Sequence, residues 1–235
     1  MIDYVENFIY GHIAGGTATL VSHPFFNMKN HLQNGLVLGK EHYRNLKWLY
    51  GGMSRAIVGY GLEKMIVFGV YNSLKKHDYN STFSGMIAGM FASVSITPAE
   101  QLTIDKQLNV RNFTLRHLYQ GWVPTLFRES LGFAIHFTVY DYLTKKYNEE
   151  KSRTKTALCG AGAIIAGWGT ITPIDRIKTK IQSGTFDYKT YDYKSSFSGF
   201  RFAIMRAVPF HVTCFLIMEE LNMNRMNIRQ KLNIS

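Results

Sequence analysis

Three short stretches of the sequence combine a proline with acidic and basic side chains at a fixed spacing. They read SHPFFNMKNHLQ, ITPAEQLTIDKQ and ITPIDRIKTKIQ, and they recur about every 75 residues. In the third stretch Asp175 stands two residues after the proline and Lys178 five residues after it. Such charged residues either mark solvated helix ends or form ion pairs between helices. Their recurrence in three spaced units favours ion pairing.

Two further features recur with the prolines Pro24, Pro98 and Pro173. A glutamine follows each proline at the same distance, and an aromatic residue, any residue and a glycine come later in each unit, before a long amphipathic stretch. A proline inside a helix bends its axis, and the helical pattern continues past each of these three. We therefore predict three repeats of two long helices each, covering residues 1–78, 79–150 and 151–235.

The composition admits a membrane protein. The chain has 235 residues, a formal charge of +11, 18% charged residues and a mean hydropathy of -0.10. The length fits six spanning helices of roughly 20 residues with short connections. The mean hydropathy argues against helices that face lipid on every side, but it permits helices with one face toward a wet cavity. Glycines four residues apart, at Gly11 and Gly15 and at Gly85 and Gly89, allow helices to approach closely in lipid.

Catalytic and metal-binding patterns are not found in the sequence. Cys159 and Cys214 lie far apart, and no histidine stands near them at ligand spacing. The beginning of the chain does not resemble a secretory signal. We therefore expect a protein that is not an enzyme and that needs no metal and no cofactor.

The repeated pattern resembles the mitochondrial carrier family. That family has three repeats, each with a kinked helix that carries Pro-x-Asp/Glu-x-x-Lys/Arg and a second helix that follows aromatic-x-Gly. The third stretch matches in full, whereas Phe26 replaces the acid of the first and Thr103 replaces the base of the second. The resemblance covers nearly the whole chain. It implies an all-α fold of six transmembrane helices with pseudo-threefold symmetry around a central cavity, in a monomer of the mitochondrial inner membrane.

The resemblance also implies a matrix gate made of ion pairs between successive kinked helices. Glu100 would pair with Lys178 and Asp175 with Lys29, which leaves Phe26 opposite Thr103. Both members of that last pair are uncharged, as expected if the pairing is real, because an orphaned buried charge is costly. The family uses glutamines to brace these bridges, here Gln33, Gln107 and Gln182.

A second gate is implied at the cytoplasmic ends of the second helices. The family carries an acid and a base there, and in this sequence one pair survives, Lys75 with Asp141. We expect the cytoplasmic gate to be weaker than the matrix gate.

The solute site of the family lies between the gates, at one level of the second helices. Seven residues beyond each motif glycine, that level holds Gly59, Arg128 and Arg206. An arginine at bilayer depth is costly and therefore indicates function. The neighbours expected to share the site are Arg55, Tyr60, Glu63 and Glu129.

Guanidinium groups bind phosphate and carboxylate, so we expect a small anionic metabolite as the solute. Several arginines beside Gly59 suit a nucleotide or deoxynucleotide, whose base could stack on Tyr60. The pair Arg128-Glu129 instead resembles the arginine–acid pair of carriers for amino acids. The sequence favours nucleotide exchange and leaves an amino acid or keto acid as the alternative.

The remaining expectations concern lipids and the basic charge. The glycines that precede the second helices, Gly52, Gly121 and Gly199, present backbone N–H groups that could bind lipid phosphates. By resemblance that lipid is cardiolipin, and basic loops commonly meet anionic headgroups.

A soluble, basic nucleic-acid-binding helical repeat is the rival class, and a membrane scaffold is a third possibility. The nucleic-acid-binding hypothesis explains neither the prolines nor the glycines, so we do not expect nucleic acid as a partner.

Overall fold

The computed structural model describes residues 2–33, 37–108, 110, 114–147, 153–189, 196–197 and 200–232. Regular secondary structure in these ranges is entirely helical. The long helices are α1 (Ile2–Gln33), α4 (Met53–Lys76), α5 (Ser81–Leu108), α7 (Trp122–Tyr147), α8 (Arg153–Gln182) and α9 (Phe200–Leu232). The short helices are α2 (Lys40–Arg44), α3 (Leu46–Leu49) and α6 (Leu115–Leu118). The expectation of an all-α protein is confirmed in the described residues.

The six long helices pack side by side in a ring. In order around the ring they are α1, α4, α5, α7, α8 and α9, and α9 returns to α1. Within the described residues, Ser81–Lys106 is the one segment long and apolar enough by composition to cross a membrane. The other long helices place polar side chains on their inner faces, which lowers their average hydropathy. The six membrane spans therefore stay a prediction.

The prolines lie inside α1, α5 and α8, and each helix continues beyond its proline. A proline in a helix leaves the carbonyl four residues earlier without its usual donor. For Pro98 that carbonyl belongs to Val94, and the Tyr119 hydroxyl donates to it at 3.2 Å. Tyr119 is the aromatic residue of the second aromatic-x-Gly motif. The two repeated motifs are thus joined by a hydrogen bond in the second unit.

The motif glycines make left-handed turns at the starts of the second helices. Gly52 has φ of 80° and Gly121 has φ of 77°, a conformation that other residues rarely adopt. A Cβ on Gly52 would lie 2.9 Å from a Thr103 methyl carbon, and one on Gly121 would lie 3.0 Å from a Gln182 side-chain carbon. Glycine is required there by both conformation and space. Gly199 lies outside the described residues.

Glycines also bring the helices of each of the first two units together. A Cβ on Gly15 of α1 would lie 2.7 Å from the Tyr60 carbonyl of α4, and one on Gly85 of α5 would lie 2.6 Å from the Phe133 carbonyl of α7. Both distances are below van der Waals contact, so a side chain at either position would push the two helices apart. The structure therefore contains the close helix approach that the glycine spacing predicted.

Candidate functional site

Two buried ion pairs link the kinked helices at the centre of the ring. Lys29 of α1 contacts Asp175 of α8, with Nζ to Oδ2 at 2.8 Å. Lys178 of α8 contacts Glu100 of α5, with Nζ to Oε2 at 2.5 Å. All four side chains are almost completely buried. These are the two pairs that the repeat pattern led us to expect, and their opening as a gate stays a prediction.

Arg128 of α7 joins the two ion pairs into one network. Its guanidinium donates to Asp175 at 2.9 Å, to Glu100 at 3.1 Å and to the adjacent Glu129. We expected this side chain to face the solute; it lies on the wall of the inner cavity described below, and three carboxylates bind it there. The physical reason is that a buried guanidinium without partners is costly, and these acids lie within its reach.

Phe26 takes the place of the missing acid in the first unit. Its buried ring lies 4.8 Å from the Arg206 guanidinium carbon and 5.7 Å from the Lys29 ammonium. The negatively polarised face of an aromatic ring attracts cations without carrying a charge. Thr103 hydrogen-bonds the Ala99 carbonyl of its own helix at 2.8 Å. An aromatic face thus contacts the cations at the position where the family has a carboxylate.

Arg206 of α9 is held by aromatic rings rather than by acids. Its guanidinium carbon lies 4.6 Å from the ring centre of Tyr60, 4.8 Å from that of Phe26 and 5.8 Å from that of Phe210. Within the described residues Arg206 has no carboxylate partner. The Tyr60 hydroxyl donates to Glu100 at 2.7 Å. Tyr60, expected to stack on a nucleotide base, therefore fixes Arg206 next to the ion-pair network.

Two cavities lie inside the ring. The inner one, of about 70 Å³, borders the network, and Arg206, Glu63, Lys64 and Glu129 lie on its wall. The outer one, of about 480 Å³, has a largely apolar wall that includes the stacked rings of Tyr71 and Phe137. His136, Ile164 and His211 line both cavities. These three residues therefore form the neck between the cavities.

Lys64 was missed by the sequence analysis. Its ammonium contacts Glu63 at 2.7 Å and lies 4.6 Å from the Phe133 ring and 5.3 Å from the Phe210 ring. The adjacent acid and base in the otherwise apolar stretch GLEKMIVFGV were the available signal. Because the two charges pair with each other, they neutralise one side of the inner cavity.

Gly59 and Arg55 do not line either cavity, which corrects the expectation for these residues. A Cβ on Gly59 would overlap the Cβ of Ala99, so this glycine allows α4 to pack on α5 and leaves no room for solute. Arg55 donates to the Leu102 carbonyl of α5 at 2.7 Å. The face of α4 that carries both residues is occupied by α5.

The expected glutamine brace is not formed at Gln182. Within the described residues its buried side-chain amide has no hydrogen-bond partner, while its backbone carbonyl accepts from Gln101 at 3.0 Å. Gln101 also donates to Asp105, which contacts His117 of α6. The connection between α5, α6 and α8 is therefore made by residues outside the motif. The side chains of Gln33 and Gln107 lie outside the described residues.

Lys75 and Asp141, expected to form a direct ion pair, are bridged by Ser81. Lys75 donates to the Ser81 hydroxyl at 3.3 Å, and that hydroxyl donates to Asp141. Tyr71 donates to the same hydroxyl at 3.3 Å. Ser81 begins α5 and lies between the two charged helix ends, which explains why the ions do not meet. A gating role for this cluster stays a prediction.

The sequence of this chain is similar to those of known mitochondrial carriers. A sequence profile described as "Mitochondrial carrier protein" matches residues 109–151. "Protein dif-1" of Caenorhabditis elegans is 25% identical, with 93% of this chain and 91% of the relative covered. "Mitochondrial arginine transporter BAC1" of Arabidopsis thaliana is 23% identical, with 97% and 96% covered. "Mitochondrial basic amino acids transporter" of Homo sapiens is 26% identical, with 89% and 87% covered. The similarity thus runs almost end to end.

Proposed function

We propose that this chain is a member of the mitochondrial carrier family, as the profile match and the relatives support, and that it exchanges basic amino acids across the mitochondrial inner membrane. Members of the family are multi-pass inner-membrane transporters rather than enzymes, and they carry small metabolites. The observation that supports the solute class is that Arg206 has no acidic partner within the described residues and lines a cavity whose wall also carries acids.

The charges of the inner cavity favour a solute with one carboxylate. Lys64 is paired with Glu63, and Arg128 is bound by three acids. Three lysines or arginines line the inner cavity in the described part of the chain. Of these, Arg206 is the one that has no acidic partner there. A polyphosphate would need several free cations to replace its lost hydration. One free guanidinium instead matches one α-carboxylate.

Acidic side chains on the same wall favour a solute that also carries positive charge. Glu129 has Arg128 as its ionic partner, and Glu63 has Lys64. An ammonium or guanidinium in the cavity could share either carboxylate. Two of the relatives are named for arginine or basic amino acids. A basic amino acid therefore complements both kinds of charge on this wall.

Nucleotides, which the sequence favoured first, are the second candidate. The volume of the outer cavity, about 480 Å³, and its aromatic wall support this candidate. The two candidates are separated by uptake into liposomes that contain the purified protein. We expect L-arginine, L-lysine and L-ornithine to exchange, and ADP, dATP and 2-oxoglutarate not to. Exchange of a nucleotide without exchange of any amino acid would refute the proposal.

The remaining features fit alternating access. We propose that residues 1–78, 79–150 and 151–235 form three repeats whose long helices cross the membrane, with both termini on one side. Opening of the central ion-pair network would admit solute from the matrix, and opening of the Ser81 cluster would admit it from the cytoplasmic side. The starts of the second helices at Gly52, Gly121 and Gly199 are proposed to bind cardiolipin phosphates. The proposed carrier is a monomer.

Replacement of the free guanidinium tests the site directly. We expect Arg206→Ala to raise KM for L-arginine by roughly tenfold to a hundredfold, because a charged hydrogen bond contributes about 1.5–3 kcal/mol. Arg201→Ala is the matched control, since Arg201 lies on the same helix and is exposed. An unchanged KM in a folded Arg206→Ala protein would rule out Arg206 as the solute anchor.

An acid introduced beside Arg206 should act as an internal competitor. Because Arg206 and Lys29 both lie over the ring of Phe26, the carboxylate of Phe26→Glu would pair with them in place of solute. We expect initial uptake to fall about tenfold while the melting temperature rises or is unchanged. Phe26→Gln provides the uncharged control. Equal uptake by the two variants would show that the introduced charge does not reach Arg206.

A further inference from the structure

Two histidines face each other at the neck between the cavities. His136 of α7 and His211 of α9 have ring centres 5.3 Å apart and planes inclined by 27°. Each lines both the inner and the outer cavity. A solute that moves between the two cavities must therefore pass these imidazoles.

The ring nitrogens of the pair are available to a ligand. Phe137 and Phe210 pack edge-on against His136 and His211 respectively. Neither imidazole has a hydrogen-bond partner in the described part of the chain, and both side chains are partly exposed to the cavities. Polar groups inside proteins are normally paired. A partner can reach these two imidazoles through the cavities, and a proton is the smallest partner that imidazole binds.

The pair has cations close by. The charged groups on the adjoining walls are Glu63 and Lys64 of α4, Glu100 of α5, Arg128, Glu129 and Asp141 of α7, and Arg206 of α9. The other titratable groups are the phenols of Tyr60, Tyr71 and Tyr140 and the thiol of Cys214; the described cavity-lining residues of α8 carry none. Glu63 neutralises Lys64, whereas no described acid compensates the charge of Arg206. In the empty cavity Arg206 therefore opposes a second positive charge at the neck.

We propose that His136 and His211 together bind one proton when a solute carboxylate binds Arg206, so that solute and proton move as a unit. This inference rests on the proposed role of Arg206. The carboxylate cancels the charge of Arg206 and thereby removes the repulsion between that charge and a proton on the pair. Binding linkage is reciprocal, so the proton must also raise the affinity for the carboxylate by the same factor.

The sign of the pH dependence follows from this linkage. As the pH falls, the pair is protonated more often and the affinity for the carboxylate rises, so KM falls. For one linked proton the change approaches tenfold per pH unit within the range where the pair titrates. Agmatine, which is arginine without its carboxylate, cannot cancel the charge of Arg206. Its binding should not tighten as the pH falls.

The experiment measures KM for L-arginine between about pH 6 and about pH 8 in liposomes that contain the full chain. We expect KM to fall about threefold or more with acidification in the wild type, and to be constant in His136→Gln and in His211→Gln. His77→Gln is the control, since His77 is exposed at the end of α4. If His136→Gln and His211→Gln both fold and both keep the wild-type pH dependence of KM, the proposal is wrong.

A second measurement does not depend on the variants. A pH indicator in weakly buffered detergent solution should report proton uptake when L-arginine is added to wild-type protein, and none when agmatine is added. Absence of proton uptake on L-arginine binding would overturn the proposal even if the histidine variants fail to fold. If Arg206→Ala raises KM but the wild type takes up no proton, the coupling is wrong and the solute site stands. If L-arginine does not bind, both are wrong.

Discussion

Arg128→Leu is expected to lower the free energy of unfolding by about 3 kcal/mol or more, because it leaves buried carboxylates without their shared cation. Glu100 and Asp175 would each keep one lysine, Lys178 and Lys29. Glu129 would keep no ionic partner among the described residues. The loss should therefore come mainly from Glu129, with a smaller share from the weakened contacts of the other two acids.

The buried cysteines make this loss measurable. Cys159 and Cys214 are free and buried, so a thiol-reactive dye reports unfolding of the protein in detergent. For a chain of this size the melting temperature should fall by about 6–12 °C. Arg116→Leu, which removes an exposed arginine of α6, should melt like the wild type.

A second substitution separates the orphaned charge from lost packing. Glu129→Leu added to Arg128→Leu removes the acid that has no remaining partner, and it should recover more than half of the lost melting temperature. If the double variant is less stable than Arg128→Leu, the ion pair between Arg128 and Glu129 is not the source of the stabilisation. A wild-type melting temperature for Arg128→Leu alone would contradict the buried network itself.

Glu100→Lys is expected to abolish uptake. The substitution places an ammonium beside Lys178 and Arg128, where the structure has a carboxylate bound to both. It also removes the acceptor of the Tyr60 hydroxyl, which fixes the ring under Arg206. Like charges at such distances in a buried site repel by several kcal/mol. The closed state of the network should therefore not form.

Adding Lys178→Glu to Glu100→Lys should restore part of the uptake, because the reversed pair can form between the same two helices. Recovery should be incomplete, since Arg128 and Tyr60 no longer have Glu100 as acceptor. Glu100→Lys with Lys106→Glu is the control, as it restores the net charge with an exposed residue of the same helix. Equal activities of the two double variants would show that the Glu100–Lys178 contact does not matter for transport.

Much of the scaffold could be predicted from the sequence, because repeated spacing carries that information. The prolines, the glycine turns and the two ion pairs of Lys29 and Lys178 occur at matched positions in successive units. A motif that recurs in three helices of a ring constrains which faces meet. The family resemblance drawn from these repeats is confirmed by the comparisons.

The solute site could be predicted only in part, because spacing gives the face of a helix and not the reach of a side chain. Arg128 and Arg206 stand at the same level of their helices, yet one reaches three acids and the other lies on aromatic rings. Which partner each finds depends on distances across the bundle. Gly59 shows the same limit, since its role depends on where Ala99 lies in the neighbouring helix.

The central network is electrically neutral as a unit. Its cations are Lys29, Arg128 and Lys178 and its anions are Glu100, Glu129 and Asp175. A net charge moved across a membrane changes the energy by about 2.3 kcal/mol per 100 mV. If these six groups shift together, the transmembrane voltage does almost no net work on them. A voltage dependence of the exchange current would then come from Arg206 and the species it carries, so the current itself reports the charge of the cargo.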